Sequence, residues 1–126
     1  MLLYLTLGTD DVARAGRFYD PVLATLGYVR LETDPNGYGY GPQGGPTQFW
    51  INRPFDQNPA SAGNGTMPAF RAPSRAAVAA FHAAALEYGG ADEGAAGLRD
   101  YEPDFYAAYV RDPDANKLSA VCIRPA

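Results

Sequence analysis

The fold is decided by a stretch that the chain carries twice: YLTLGTDDVARAGRF at residues 4–18 and MPAFRAPSRAAVAAF at residues 67–81. Each copy runs from a short apolar strand, through a helix-capping residue, to a phenylalanine on the helix that follows. The candidate capping residues are Asp10 or Asp11 in the first copy and Ser74 in the second, and the offset between the copies is sixty-three residues throughout. Duplication of one supersecondary unit predicts two modules, neither of which buries its core alone.

Outward from the first copy, the sequence predicts a strand at residues 2–8 and a helix that ends at Gly27. Strand patterns follow at residues 28–32, 38–41 and 47–52, separated by turns rich in proline and glycine. Pro21 lies inside the predicted helix, and because it lacks a backbone N–H we expect it to bend or divide that helix. The first module therefore has the order βαβββ.

The second copy repeats this order after a connector of proline, glycine, serine and alanine at residues 54–65. Its strands are predicted at 66–72, 105–111 and 117–123, with an irregular or shortened second strand near Gly94 and Gly97. We therefore expect one α+β domain over residues 1–126, made of module 1 (1–53) and module 2 (66–126).

Composition limits the class of partner. A chain of 126 residues with 47% hydrophobic residues makes one ordinary globular domain. The net charge of −4 argues against nucleic acid or an anionic membrane surface, since both need clustered Lys and Arg. The sole cysteine, Cys122, excludes an intrachain disulfide. With no signal peptide or long apolar run visible, we expect a cytoplasmic protein.

The order of these motifs resembles a known family over nearly the whole chain. The resemblance rests on the 4–8 strand followed by Asp11, the GNGT lead at 63–66, and the YAAYV strand at 106–110 before Asp112-Pro113-Asp114. It is similar to the glyoxalase-like branch of the vicinal oxygen chelate superfamily, which includes glyoxalase I, extradiol dioxygenases, fosfomycin-resistance transferases and bleomycin-resistance binding proteins. The resemblance implies two tandem βαβββ modules that form an open, curled mixed β-sheet around a cavity, with the helices outside, and often a homodimer.

The resemblance also implies where a metal ion would be held. Catalytic members bind a divalent metal through a histidine on the first strand of a module and a glutamate on the last. The corresponding positions here are Tyr4 and Met67, and Trp50 and Ser119. None supplies an imidazole or carboxylate, so we expect the metal ligands to be lost and no cofactor to be bound. His82, the single histidine, is expected at a surface or partly buried position.

Strand alternation predicts what lines the cavity instead. The expected pocket is aromatic, with a few hydroxyls and Arg71 available for a carboxylate or phosphate. Fosfomycin-type members place a threonine and a tyrosine where Thr6 and Tyr109 stand. A loop that begins at Tyr101 is expected at the cavity mouth. The predicted ligand-binding residues are Tyr4, Thr6, Trp50, Met67, Arg71, Tyr101, Tyr109 and Ser119.

Three hypotheses about function remain open at this point. The first is a metal-free small-molecule-binding protein of the bleomycin-resistance type. The second is a lyase or dioxygenase of the glyoxalase-like type, using unidentified metal ligands or proton transfer by Glu102, Tyr109 or Tyr101. The third is an interaction domain in which Tyr4, Trp50 and Met67 fill the cavity as core. Whether the modules pair within one chain or between two chains is also open.

Overall fold

The computed structural model describes every residue from Met1 to Ala126 and confirms the fold class. The chain forms two consecutive βαβββ modules, one on each side of a connector without helix or strand. The elements of module 1 are β1 (Leu5–Gly8), α1 (Val12–Ala24), β2 (Tyr28–Asp34), β3 (Gly37–Pro42) and β4 (Phe49–Asn52). Those of module 2 are β5 (Ala69–Arg71), α2 (Arg75–Glu87), β6 (Ala91–Leu98), β7 (Phe105–Arg111) and β8 (Lys117–Ile123).

Each module contributes its own mixed four-stranded sheet. The strand orders are β1-β4-β3-β2 and β5-β8-β7-β6. In both sheets the first strand pairs in parallel with the last, and the other pairs are antiparallel. The registers correspond, because Thr6 lies opposite Trp50 in one sheet and Ala69 lies opposite Ser119 in the other. No strand of one sheet pairs with a strand of the other, so a single chain presents two separate sheets.

The two helices repeat each other in length and in capping. Each has 13 residues, and the sixty-three-residue offset holds at both ends. The Asp11 side chain accepts a hydrogen bond from the Arg14 N–H at 3.0 Å, and the Ser74 side chain accepts one from the Ala77 N–H at 3.1 Å. Each cap satisfies one of the amides that a helix leaves free at its start. The capping residues predicted from the sequence are confirmed.

Pro21 does not divide the first helix, which differs from the expectation. Helix α1 runs without a break from Val12 to Ala24 with Pro21 inside it. The missing N–H deprives the Arg17 carbonyl of its partner, but Arg17 is exposed and water can bond there. Only the last turn of the helix follows the proline, so little helix depends on the lost bond.

Strand boundaries differ from the predictions in two places. The first strands are shorter than predicted, with four residues in β1 and three in β5. Leu2 and Leu3 precede β1 and are 72% and 81% exposed. The Gly94–Gly97 segment belongs to an eight-residue strand, β6, whose register against β7 shifts twice. These bulges explain why the sequence pattern indicated irregular structure there.

The hydrophobic core lies between the helices and the sheets and joins both modules. Twenty buried residues form one cluster, including Phe18 and Val22 of α1 and Phe81 of α2. Phe49 of β4 packs edge-on against Phe70 of β5, with ring centroids 5.2 Å apart. Tyr88 was predicted in the buried stripe of α2, but it caps the helix and is 45% exposed. Neither helix has the length and apolar character needed to cross a membrane.

Tyr38 and Tyr40 lie on the helix side of sheet 1, although a tyrosine hydroxyl also suits a cavity filled by ligand or solvent. Tyr40 is buried, and its hydroxyl donates to Asp20 Oδ1 at 2.7 Å. The Arg30 guanidinium lies 3.9 Å above the Tyr38 ring. Burial raises the pKa of Tyr40, and its hydrogen bond to Asp20 acts in the same direction. A nearby carboxylate therefore satisfies this hydroxyl where we expected a ligand or solvent to do so.

A buried polar cluster, the inter-module clamp, ties the β7–β8 turn to module 1. It consists of Thr9, Tyr19, Asp112, Asp114 and Asn116. The Asp112 carboxylate accepts from the Tyr19 hydroxyl, from Asn116 Nδ2 at 2.9 Å, and from the N–H groups of Asp114 and Asn116. Asn116 Nδ2 also donates to the Gly8 carbonyl at 3.0 Å. Burial raises the pKa of Asp112 despite these donors.

Ala115 lies within the same turn and has a left-handed backbone. Its φ is +69°. Glycine is the usual residue in this conformation, because it has no Cβ to crowd the backbone. The turn is fixed on both sides by bonds to Asp112, because Asp112 N–H donates to the Asn116 carbonyl and Ala115 N–H donates to the Asp112 carbonyl, both at 2.9 Å. The surrounding bonds hold the alanine in a conformation that costs about 1–2 kcal/mol.

Candidate functional site

The sheet surfaces that point away from the helices carry most of the predicted site residues. We call the surface of sheet 1 the module 1 face. It forms an open concavity of about 530 Å3. Its lining includes Tyr4, Thr6, Glu32, Asp34, Trp50 and Asn52.

Trp50 packs against Gly39 at the centre of this face. It is opposite Gly39 in the β3–β4 ladder. A Cβ atom on Gly39 would lie 3.0 Å from the indole Cη2 and 2.6 Å from Thr47 Cγ2. The indole therefore rests against the backbone of β3, a close approach that needs glycine. This arrangement holds the only tryptophan of the chain in a fixed, partly exposed position.

The module 1 face is acidic. Glu32 and Asp34 lie opposite Gly39 and Gly37 in the β2–β3 ladder and are both exposed. Asp34 Oδ1 accepts a hydrogen bond from the Asn36 N–H at 2.9 Å. Neither carboxylate forms an ion pair with a side chain of the same chain, because Arg30 pairs with Asp20 on the opposite surface of the sheet. The face thus combines an aromatic platform with two free negative charges.

The corresponding surface of sheet 2, the module 2 face, is basic. Tyr109 lies at its centre, opposite Ser119 in the β7–β8 ladder. The Arg99 guanidinium lies 5.3 Å from the centroid of the Tyr109 ring, and Lys117 Nζ lies 5.7 Å from it. Tyr101 is near the same ring and packs edge-on against Phe105 at 5.2 Å. Two cations thus contact one aromatic ring.

Arg99 is held in place by the irregular strand β6. A Cβ on Gly94 would lie 3.3 Å from Arg99 Nη2, and one on Gly97 would lie 3.2 Å from Nη1. The guanidinium donates to the Ala95 carbonyl at 2.7 Å and to the Leu98 carbonyl at 3.4 Å. The two glycines therefore leave room for an arginine that folds back over its own strand. Sequence reasoning missed Arg99, although the spacing of these glycines before it was a usable signal.

Two hydroxyl groups complete the module 2 face. Ser119 is 1% exposed, and its Oγ has no hydrogen-bond partner. Burial raises the pKa of Tyr109, with Arg99 acting in the opposite direction. The phenol is therefore protonated at neutral pH and can donate a hydrogen bond.

The structure brings the predicted residues together in two groups. Tyr4, Thr6 and Trp50 share the module 1 face, whereas Tyr101, Tyr109 and Ser119 share the module 2 face. The other two predicted residues lie on or before β5. Arg71 lines a cleft between the modules with Tyr28, whose hydroxyl donates to the Arg71 carbonyl at 2.8 Å, and Met67 precedes β5 and is 39% exposed.

The residues at the metal positions do not fit a hard divalent ion. Phenol, indole, thioether and hydroxyl groups occupy the four positions, and such an ion prefers imidazole or carboxylate. No group of three or more His, Cys, Asp or Glu side chains is arranged to hold a metal. His82 is partly buried on the helix side, as expected, with Nε2 at 2.8 Å from Asp92 Oδ1.

The loop that precedes β7 offers no ready general base. Glu102 is exposed to solvent. Asp104 forms an ion pair with Arg75 at 3.3 Å and has a left-handed backbone, with φ of +63°. The geometry therefore gives no specific support to proton transfer by these residues.

Two βαβββ modules with open concave faces define the class of protein, and comparison with solved structures defines the family. The chain is 37% identical to a glyoxalase/bleomycin resistance protein from Albidiferax ferrireducens T118, with 97% of each chain covered and a TM-score of 0.85. This chain belongs to the glyoxalase/bleomycin-resistance protein family. No protein-family model and no curated protein sequence matches it.

Less similar structures share the fold. A glyoxalase/bleomycin resistance protein/dioxygenase family enzyme from Burkholderia phytofirmans PsJN is 18% identical over 96% of this chain and 97% of its own, with a TM-score of 0.73. A lactoylglutathione lyase from Agrobacterium tumefaciens is 19% identical over 97% of this chain and 92% of its own, with a TM-score of 0.64. At this identity the similarity concerns the fold alone.

Proposed function

We propose that this chain is a small-molecule-binding protein of the family that has lost the divalent-metal site and binds an aromatic or amphipathic compound. One observation carries the proposal: Trp50 packs against Gly39 on an open face, where the metal positions hold no suitable donors. The concavity of about 530 Å3 falls within the range of small-molecule pockets. An aromatic ligand stacks on the indole, while Thr6 and Asn52 supply polar contacts.

We further propose that the binding cup is completed in a homodimer. In one chain the module 1 face and the module 2 face are separate, and each lacks an opposing wall. The carboxylates Glu32 and Asp34 are on one face, and the cations Arg99 and Lys117 are on the other. A twofold dimer that sets each module 1 face against the partner's module 2 face forms two equivalent cups, each with one acidic and one basic wall.

The cellular setting that we propose is the cytoplasm. Cys122 is a free thiol and is 1% exposed within the core of module 2. A buried, unpaired cysteine suits a reducing compartment.

The first experiment tests aromatic binding with 2-naphthol, a neutral aromatic probe. Titration calorimetry and the melting temperature are measured on the native chain and on Trp50→Ala. We expect 2-naphthol to raise the melting temperature of the native chain, and Trp50→Ala to weaken binding about tenfold or more, as for a lost stacking contact. Tyr88→Ala is the control, because it removes an exposed aromatic ring at the end of α2. Equal binding by Trp50→Ala would contradict the proposal.

Metal content is a separate test of the same proposal. Elemental analysis of the protein purified without chelator is expected to find no stoichiometric metal. Nickel, zinc, manganese and iron are expected to leave the melting temperature unchanged. One tightly held ion per chain would overturn the loss of the metal site and favour a glyoxalase-like or dioxygenase-like enzyme.

A complementation experiment tests the shared cup. Trp50→Ala damages the module 1 face and Tyr109→Ala damages the module 2 face. In a shared-cup heterodimer of the two variants, one cup carries both defects and the other carries neither. We therefore expect the mixture to regain native affinity for 2-naphthol at up to half of its sites. If each cup belonged to one chain, every site would keep one defect and no affinity would return.

A further inference from the structure

We infer that the module 2 face holds an anion subsite, in which Arg99 and Lys117, with the hydroxyls of Tyr109 and Ser119, take the carboxylate or phosphate end of the ligand. The inference rests on the proposed function, since it names the chemistry of the compound bound in the same cup. It assigns the charged contact to residues other than Arg71, which lies in the cleft between the modules.

The first argument is the pairing of the partly buried cations. Six of the ten Lys and Arg residues are partly buried. Four of the six have carboxylate partners: Arg14 with Asp114, Arg30 with Asp20, Arg75 with Asp104, and Arg111 with Glu93. Arg99 and Lys117 have none, although acidic residues outnumber basic ones in the chain. Both unpaired cations lie over the Tyr109 ring.

The second argument is that Arg99 is fixed in place before any ligand arrives. Its guanidinium rests on Gly94 and Gly97 and donates to two carbonyls of its own strand. A guanidinium has five donor N–H groups, so further donors remain for an oxyanion. A planar group held in this way binds a carboxylate or phosphate with little loss of side-chain freedom.

The third argument is the unsatisfied hydroxyl of Ser119. Its Oγ is buried and has no partner, which is uncommon for a polar atom in a folded protein. Ser119 lies directly across the ladder from Tyr109, so both side chains point to the same surface of the sheet. The protonated phenol of Tyr109 is a second donor at this position. The Tyr109 ring thus has two cations over it, a hydroxyl of its own, and a second hydroxyl across the ladder on Ser119.

Together with Trp50, these residues describe the ligand. The aromatic body stacks on the module 1 face of one protomer, and the anionic end meets the module 2 face of its partner. The class that fits is an aromatic compound with one carboxylate or phosphate group. A cationic end does not fit on the module 2 face, because Arg99 and Lys117 repel it there.

The test compares four probes that share one ring system: 2-naphthoate, 2-naphthyl phosphate, neutral 2-naphthol and cationic 2-naphthylmethylammonium. Dissociation constants are measured by calorimetry for the native chain, Arg99→Gln and Lys117→Gln. We expect dissociation constants for the two anions that are about ten times smaller than for 2-naphthol, or smaller still, because charge-assisted hydrogen bonds form only with the anions. Each substitution is expected to remove about tenfold of affinity for the anions, and so to reduce the ratio of anion affinity to 2-naphthol affinity.

Arg17→Gln is the matched control. It removes one positive charge from an exposed site on α1 without touching either face, so any general effect of net charge appears in it as well. Melting temperatures of all variants show that they are folded, and Lys117→Gln retains the test if Arg99→Gln does not fold.

Three results would overturn the inference, in distinguishable ways. If 2-naphthol binds and the anions bind no more tightly, the anion subsite fails while the proposed function stands. If the anions bind more tightly but Arg99→Gln and Lys117→Gln keep that preference, the residues are wrongly assigned. If no probe binds to the native chain, the proposed function fails and the inference fails with it.

Discussion

The two sheet faces have the same backbone plan and opposite side-chain arrangements. In module 1 the last strand carries the large residue, Trp50, against Gly39 of the third strand. In module 2 the large residue is on the third strand, Tyr109, against Ser119 of the last strand. The duplicated unit thus keeps one large and one small residue at each centre but exchanges their strands.

Charge is exchanged as well as size. Glu32 lies opposite Gly39 in the second strand of module 1, whereas Gly94 lies opposite Tyr109 in module 2 and Arg99 fills the space above it. Repetition fixes the scaffold, and the differences between the copies decide what each face can bind. A duplicated fold can therefore build a site whose two walls have different chemistry.

The largest expected effect concerns the inter-module clamp, whose hydrogen bonds join the β7–β8 turn of module 2 to module 1. Asp112→Ala would leave the Tyr19 hydroxyl, Asn116 Nδ2 and two backbone N–H groups without their acceptor. We expect the free energy of unfolding to fall by about 4 kcal/mol, the cost of several buried unsatisfied donors. Chemical denaturation measures it. Asp34→Ala is the control at the exposed end of β2 in module 1, and a loss of similar size there would contradict the special role of the clamp.

The second prediction exchanges the central pair of module 1 for that of module 2. Gly39→Tyr alone drives a ring into the Trp50 indole and should cost about 3 kcal/mol of stability, at the upper end for overpacking. Gly39→Tyr with Trp50→Ser recreates the pair found in module 2 and should recover more than half of that loss. Denaturation curves of the two variants decide the matter, and equal losses would show that the two faces are not interchangeable in packing.

The third prediction concerns the pH dependence of stability. It depends on Asp112, the buried carboxylate through which the clamp of module 2 contacts Tyr19 of module 1. Its folded pKa is raised above the ordinary value of 3.8, chiefly by desolvation. A raised pKa means that the folded state binds the proton more tightly, so the stabilisation is fully present below 3.8 and is lost as pH rises through the folded pKa.

Asp112→Asn isolates this contribution, since it cannot titrate. We expect the stability of the native chain relative to Asp112→Asn to increase as pH falls towards 3.8, by about 1.4 kcal/mol for each unit by which the pKa is raised. Urea denaturation of both proteins across the acidic range measures the difference. A relative stability that falls with acidification would show that the hydrogen bonds outweigh desolvation.

The fourth prediction concerns the small member of the module 2 pair. Ser119→Ala removes a buried hydroxyl that has no partner, so we expect a gain of about 1 kcal/mol in the free energy of unfolding. The same variant should bind 2-naphthoate more weakly than the native chain. The opposite signs of the two effects are the signature of a site that costs stability, and a loss of stability would show that Ser119 is satisfied in the folded protein.

The smallest expected effect is at Ala115. Glycine adopts a left-handed backbone without the penalty that alanine incurs, so Ala115→Gly should stabilise the chain by about 0.5–1 kcal/mol after its own entropic cost. A thermal melt detects the change. Ala83→Gly on the exposed surface of α2 is the control, and it should destabilise the chain by a similar amount.

The sequence predicted the fold well because its signals are local. The capping residues Asp11 and Ser74 and the sixty-three-residue offset fixed the first residue of both helices, whereas the predicted end of α1 at Gly27 lies beyond its last residue, Ala24. The boundaries of β7 and β8 were also predicted as observed. Strand β6 was harder to predict, because its bulges depend on the ladder with β7 and on the room that Arg99 needs.

The candidate site was predicted only in part because alternation gives the face of a residue and not its neighbours. Tyr4, Thr6 and Trp50 were placed together correctly. Arg71 was expected beside them, but β5 ends at that residue and leaves it at the cleft between the modules. Arg99 follows β6, and only the folded chain brings it onto Tyr109. Which side chains become neighbours is a property of the tertiary structure, and the alternation of residues along a strand does not contain it.

The short first strands of the two modules, β1 and β5, lie at outer positions of their sheets. An outer strand offers unpaired N–H and C=O groups to other chains, and a long one favours fibre growth. The edges formed by β1 and β5 offer only four and three residues, and bulges interrupt the longer edge strands β2 and β6. In the proposed twofold dimer, side-chain complementarity between the faces drives assembly, and a twofold assembly closes after two subunits. The protein should accordingly stay free of filaments even at high concentration, despite the apolar residues at its start.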